Sequence, residues 1–427
     1  MLDSFNIALS GLDSNSEAIN NVGDNLANLN TTGYKADSTD FQDMVSSSYL
    51  GSGEISNGTG VGQTLNMRQF TAGTIETTTS PLDAAIQGDG FFVVTANGAT
   101  QYTRDGTFTT DQSGNLTTAS GGMVQGWMAS SDGTLNTSGA VGNINIPPDQ
   151  TLPPVATTQF TANLNLDASA SGATGAFSVP VQVYDSLGVA HTLTMTFTPA
   201  SAGGTSGTSG STATPGSWDY SINIPSGDLG TAPTAPLATG TLTFDSSGNL
   251  TSPAASASPV AVSISGLADG AADMSLNWNL FNTNGSPAIT QFASASATSS
   301  TTQDGSAAAD VTGISIANGG QVVATYSNGT QQVEAQIAVA GISNPNSLIA
   351  SGNNNFVTSA DTATPVVGMP GTGGRGQVEG SALEESNVDI GTEFTNLMVY
   401  ERAYQADSKV IMTTDDMMQS LVNLIQQ

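Results

Sequence analysis

The sequence predicts a mainly β protein with α-helical termini, and three observations carry that reading. Apolar residues recur at helical spacing only near the two ends. The middle alternates short apolar or Thr-rich runs with Asn-Gly and Asp-Gly turns. Loops of Ser, Thr, Ala and Gly separate these runs and are too polar to pack a core of their own.

The N-terminal helix follows from Leu2, Phe5, Leu9, Leu12, Ser16, Ile19, Gly23 and Leu26, the three-four spacing of a heptad seam. Gly33 closes this segment, in "NLANLNTTGYK". At the other end Phe394, Leu397, Glu401, Tyr404, Ser408, Ile411, Asp415, Met418, Val422 and Ile425 repeat the spacing. Each seam is narrow and interrupted by polar residues, so neither helix buries much alone. The two helices are expected to pack together or onto neighbouring subunits.

Between them, "LDAAIQGDGFFVVTANGATQYTRDGTFTTDQSGNLTT" (82–118) reads as successive hairpins. "TDQSGNLT" (110–117) and "FDSSGNLT" (244–251) share an Asp-x-x-Gly-Asn-Leu core, suited to a type I turn followed by a left-handed Gly or Asn. Calcium loops carry alternating acidic ligands that these lack. A second strand-rich unit spans "FSVPVQVYDSLGVAHTLTMTFTP" (177–199) and "SWDYSINIP" (217–225), and the intervening 200–217 reads as a loop. A third set of strands covers 311–343, and the Pro- and Gly-rich 361–381 resembles a linker before the last helix.

Composition excludes several functions. The 427 residues carry a formal net charge of -29, with 35 acidic and six basic side chains. Nothing basic enough to neutralise phosphates is present, so no nucleic-acid partner is expected. The sequence holds no cysteine, one histidine (His191), no secretory signal pattern and no run long enough to span a membrane, so no direct membrane insertion is expected. "GTGGRG" (371–376) matches a dinucleotide fingerprint only formally, because no β-α-β unit surrounds it. His191 lies in an alternating strand and reads as structural. Glu384 and Glu385, adjacent and facing apart, suit the N-terminal end of the last helix. No catalytic, cofactor or metal constellation assembles, and the chain reads as non-enzymatic.

Three stretches resemble the axial rod and hook family of the bacterial flagellum. "NVGDNLANLNTTGYK" carries Asn21, Asn25, Ala27, Asn28, Thr32, Gly33, Tyr34 and Lys35; "LDAAIQGDGFFVV" (82–94) is similar to the opening of the family's β-domain. "SALEESNVDIGTEFTNLMVYERAYQADSKVIMTTDDMMQSLVNLI" (381–425) resembles its C-terminal signature, including Leu383, Glu384, Asn387, Arg402 and Tyr404. "VPVQVYDSLGVAHTLTMTF" resembles the opening of the outer domain that hook subunits carry and rod subunits lack.

The resemblance implies two stacked β-rich domains (barrel- or sandwich-like) outside a helical coiled-coil layer. Its expected bounds are 1–30 and 381–427 for the helices, 31–70 for a connecting segment, 71–150 with 290–370 for an inner β-domain, 151–289 for an outer one and 371–380 for a linker. It implies a self-assembling helical tube, curved and flexible, acting as a universal joint that passes motor torque from rod to filament outside the cell. The implied partners are copies of itself, the flagellar rod, hook-cap and hook–filament junction proteins, and the flagellar export apparatus. Assembly contacts are expected at Leu2, Phe5, Leu9, Leu12, Ile19, Asn25, Leu26, Asn28, Gly33, Tyr34, Phe394, Leu397, Arg402, Tyr404, Ile411, Met418 and Ile425, with Asn25 and Asn28 bonding across subunits. A distal rod subunit or a β-rich surface adhesin are the alternatives.

Overall fold

The computed structural model describes residues 2–45, 58–130, 133–200, 216–231 and 235–425. Most of the 200–217 loop expected from composition lies outside them. The chain divides into two compact units: 1–148 with 312–325 and 331–427, and 149–311 with 326–330.

The first unit holds two long helices, α1 (Leu2–Ala27) and α2 (Ile390–Ile425). Asp389 caps α2, accepting a hydrogen bond from Thr392 N at 2.7 Å, and the chain leaves α1 through turns ending at Gly33. The helices pack against each other antiparallel, since Asn15 bonds Asp407 and Asn25 bonds Glu393.

The β-body of this unit is an antiparallel sheet in the order Gln321–Tyr326, Gln331–Ile337, Met123–Met128, Phe91–Ala96, Ala99–Thr103, Asn355–Val357, Ile349–Gly352. The apolar run Phe91–Val94 is buried throughout because both faces of its strand are covered. Phe92 and Val94 join one core with Ile86, Phe108 and Ile337, and Phe91 and Val93 join another with Tyr102 and Phe356. Asn97 and Gly98, both with positive φ, make the expected Asn-Gly hairpin.

The connecting segment has structure of its own. Asp37–Asp40 pairs with Leu65–Arg68, and Asp43–Val45 with Gly58–Val61, as antiparallel ribbons. They pack on α1, where Asn21 donates to Thr39 Oγ1 at 2.7 Å and Val61 N donates to Ser10 Oγ at 3.2 Å.

The second unit is a sandwich. One antiparallel sheet runs Phe177–Tyr184, Ala190–Pro199, Ser217–Asn223, Ala238–Phe244, Leu250–Ser252. The other contains Val260–Ile264, Met274–Asn279, Gln159–Asp167, Ile289–Phe292 and Ala297–Gln303. Strict alternation sends Val179, Val181 and Val183 inward from one sheet and Phe160, Ala162, Leu164 and Leu166 from the other, into one core. Trp278 ties them together, with Phe160, Phe197 and Tyr220 around its ring at 5.1–6.5 Å.

Two boundaries differ from the sequence reading. The return from the second unit falls at Val311 rather than 289, because Ile289–Phe292 and Ala297–Gln303 still pair with Gln159–Asp167. The expected linker 371–380 ends in a strand, Gln377–Gly380, paired with Ala84–Gln87. Apolar residues are sparse in 371–380, so it reads as a linker although backbone pairing holds its end.

The Asp-x-x-Gly turn takes the expected shape. Asp111 and Asp245 each accept backbone hydrogen bonds at positions two and four residues on, and Gly114 and Gly248 sit at φ 82°. These bonds hold both carboxyls below their usual pKa: for Asp111 the Asn115 side chain contributes most, for Asp245 the Asn249 backbone. Asp185 to Val189 forms a third copy, with Gly188 at φ 85°.

Candidate functional site

The two places where the chain leaves and re-enters the helical layer meet at one buried point. Glu384, fully buried, takes the Lys35 ammonium at 2.6 Å on Oε1 and the Arg104 guanidinium at 3.0 Å on Oε2. Gly73 N adds a bond to Oε1 at 2.8 Å, and Lys35 also donates to Thr71 O at 2.7 Å. Arg104 continues to the carbonyls of Ile86 and Gly88 and lies 5.3 Å from the Phe91 ring centre. Burial pulls the Lys35 ammonium below its usual pKa, against the opposing pull of Glu384. Two cations against one anion make the cluster net positive, the reverse of the chain as a whole.

Glu384 lies on the strand Ala382–Glu384, paired with Ile75–Thr77, so it does not serve the last helix as the sequence suggested. Its polar environment had no periodic signature. The visible signal was the scarcity of cations, since Lys35 and Arg104 are two of only six.

Around this pair the chain ends are laced by amides. Asn387 accepts from Ala36 N at 2.7 Å and donates to Gln69 O at 2.8 Å. Asn25, 1% exposed, donates to Asp37 O at 2.8 Å and accepts from Asp37 N at 2.9 Å, with Glu393 Oε1 at 3.2 Å. Asn28, just past the end of α1, donates back to Asp24 O at 2.9 Å. The Asn25 amide thus finds partners inside the chain, where it copies a strand partner for Asp37. Tyr34 reaches Asn25 Oδ1 at 3.3 Å, and burial, then the charge of Asp37, raise its phenol above the usual pKa. Burial likewise raises the Glu393 carboxyl, against the Asn25 bond. Gly33 is placed by close approach: at φ 67°, a Cβ there would sit 2.7 Å from the Arg104 carbonyl carbon.

A second stripe runs along α1 beside the heptad seam. Positions Ala8, Gly11, Asn15, Ala18, Val22 and Asn25 share the same three-four spacing, and among them Ala8, Ala18, Val22 and Asn25 are buried. Gly11 and Asn15 meet Asp407; a Cβ on Gly11 would lie 2.7 Å from its Oδ2. Small side chains let the helices approach at this point. Of the expected contacts, Phe5, Leu12, Ile19 and Leu26 are half-buried and Leu9 is exposed. In α2, Leu397 and Ile411 are half-buried, whereas Phe394, Arg402, Tyr404 and Met418 are exposed. Leu2 and Ile425 lie in the helices, but their side chains are outside the described set. Large apolar side chains also stand in solvent at Ile7, Met398, Val399, Val410, Met412, Met417 and Val422. Among the described residues no helix is long and apolar enough to cross a membrane.

Compared with known proteins, four family models match the chain in order. They are described as flagella basal body rod protein (5–35), flagellar hook protein FlgE/F/G D1 domain (85–165), flagellar basal body protein FlaE D2 domain (157–306) and flagellar basal body rod FlgEFG protein C-terminal (379–424). Flagellar hook protein FlgE of Borreliella burgdorferi is 30% identical over 99% of this chain and 100% of its own. That of Rhizobium meliloti is 32% identical over 97% of each chain. The crystal structure of Helicobacter pylori flagellar hook protein FlgE2 aligns over 71% of this chain and 99% of its own, at 14% identity and TM-score 0.48. Full-length identity at this level, with both terminal segments and both β-domains matched in order, shows that the chain belongs to the flagellar hook protein FlgE family, structural proteins of the flagellum.

Proposed function

We propose that this chain polymerises through α1 and α2 into the flagellar hook, a curved and flexible tube that transmits motor torque from rod to filament. The observation that carries the reading is the apolar surface the helix pair leaves uncovered, notably Phe394, Met398, Val399, Met412, Met417 and Val422 on α2. Large apolar side chains left exposed around a long helix mark surfaces that other copies can cover. Repeating one head-to-tail contact that does not close on itself builds an open helical polymer. Asn25, Gly33 and Tyr34 then act within each subunit, fixing where the helices leave the β-body, and Leu9, Phe394, Tyr404 and Met418 act between subunits.

In this reading the polymer lies outside the cell and meets the rod, the hook cap and the hook–filament junction proteins at its ends. The export apparatus delivers its subunits, and no catalysis takes part. The test uses the full chain with Val399→Ser and Met412→Ser together. Sedimented polymer falls sharply while the thermal unfolding of the unpolymerised chain stays as in the parent. Polymer yield equal to the parent's overturns the assignment of α2. In cells lacking the chain, electron microscopy shows basal bodies that end at the rod.

A further inference from the structure

The lone histidine stands among three carboxylates in the second unit, and no part of the hook function uses it. His191, 4% exposed, starts the strand Ala190–Pro199 of one sheet. Its Nε2 is hydrogen-bonded to Asp185 Oδ2 at 3.0 Å and lies 3.7 Å from Asp269 Oδ2. Its Nδ1 faces Asp228 Oδ2 at 3.1 Å, yet is buried without a hydrogen-bond partner. Three carboxylates thus surround at most one positive charge, in a chain already strongly acidic.

We propose that Asp185, His191 and Asp269 bind a first-row divalent transition-metal cation, with Asp228 steadying the imidazole from behind. The three donor atoms lie within 4.8 Å of one another. Ligands about 2.0–2.2 Å from such an ion, in tetrahedral or octahedral array, are themselves roughly 3.0–3.6 Å apart, close to the two distances at Nε2. Each carboxylate divides its oxygens. Asp185 Oδ1 accepts from Leu187 N and Val189 N, and Asp269 Oδ1 from Ala271 N, which leaves both Oδ2 atoms turned towards Nε2. Asp228 Oδ2, 3.1 Å from the far ring nitrogen, stands where the outer partner of a metal-binding histidine sits, and a small turn of the ring makes that bond and leaves Nε2 for the metal. One imidazole with two carboxylates suits Zn²⁺ or Mn²⁺ better than Mg²⁺ or Ca²⁺, which prefer all-oxygen sites.

The cation joins the two sheets of the sandwich. Asp185, His191 and Asp228 belong to the turns and strands of one sheet. Asp269 lies on the turn between Val260–Ile264 and Met274–Asn279 of the other. That turn is held in place without the ion: Ala268 N donates to Asp228 O at 3.0 Å and Ala272 N to Ser186 Oγ at 3.1 Å. Binding therefore needs little rearrangement and strengthens the tie between the sheets.

The test is a calorimetric titration of the full chain, freed of metal by chelator, with Zn²⁺ alone, and with Mg²⁺ in parallel. The expected result is one Zn²⁺ per chain, no Mg²⁺ at matched concentration, and a higher melting temperature for the second unit. Its transition is read from Trp218 and Trp278, both in its core. Asp228→Asn weakens Zn²⁺ about 10- to 100-fold, the scale for losing an outer partner. Asp269→Asn, on a side chain one-quarter exposed, abolishes the stoichiometric site and keeps the fold. His191→Gln does the same if it folds; if it does not, Asp269→Asn decides. No stoichiometric Zn²⁺ binding in the parent, or equal binding by Asp269→Asn, overturns the site.

Discussion

Glu384→Gln removes the only negative charge from a buried cluster that already holds one cation too many. The carboxylate meets Lys35 at 2.6 Å and Arg104 at 3.0 Å, with all three side chains at most 3% exposed. The amide keeps the size and the Gly73 contact but leaves two unpaired buried cations. Breaking a buried pair from one side costs about 3–5 kcal/mol. With a urea m value of about 2 kcal/mol/M, the unfolding midpoint followed by helical circular dichroism falls by about 2 M. Lys35→Met is the informative companion. It leaves a neutral Arg104–Glu384 pair and loses the Thr71 hydrogen bond, so its cost is only about 1–2 kcal/mol.

The same charge count fixes a pH dependence. Burial lowers the Lys35 pKa in the folded chain, so between that value and its ordinary 10.5 the unfolded chain binds the extra proton. Stability contributed by this group therefore rises with pH across that window, and is lost again as pH falls through the folded pKa. Lys35→Met abolishes the rise. A Glu384→Gln chain within 1 kcal/mol of the parent, or a Lys35→Met chain less stable than Glu384→Gln, refutes the reasoning.

Three further outcomes follow from the same junction. Asn25→Leu strands both backbone groups of Asp37 and destabilises the unpolymerised chain by about 1–3 kcal/mol, measured by urea unfolding; an unchanged subunit that fails only in assembly contradicts the amide geometry. Gly33→Ala adds about 1–2 kcal/mol of left-handed strain and drives a methyl into the Arg104 backbone, so its melting temperature falls further than strain alone predicts. Glu393 has its pKa raised by burial, so the folded chain holds the extra proton between the ordinary value of 4.5 and the raised one. Stability from this group is full below 4.5 and lost as pH rises through the folded pKa. Glu393→Gln removes that loss, seen as a flatter dependence of the helical unfolding midpoint between pH 4.5 and 7.

Much of the architecture was legible because it follows from short-range patterns. The helices at both ends, the Asn97–Gly98 hairpin and the Asp111 and Asp245 turns each depend on a few neighbouring residues. The sandwich core was legible through alternation, as in Val179, Val181 and Val183. The junction was not, because its members are far apart in the chain: Lys35, Arg104 and Glu384 meet only once the fold is formed. The helix contact was only partly legible for another reason. Gly11 and Asn15 meet Asp407 of α2, where close approach between helices favours small side chains that carry no periodic apolar signal. Asn25 reads as an assembly contact because a polar amide is out of place in an apolar core; within the chain Asp37, Glu393 and Tyr34 supply its partners.

The Lys35–Glu384 contact also decides how the molecule carries a load. The outgoing and returning strands are the two covalent routes between the helices and the β-body, and the pair locks one to the other across 349 positions of sequence. A pull or twist applied to the helices is therefore shared between both crossings, through a contact shielded from water and salt.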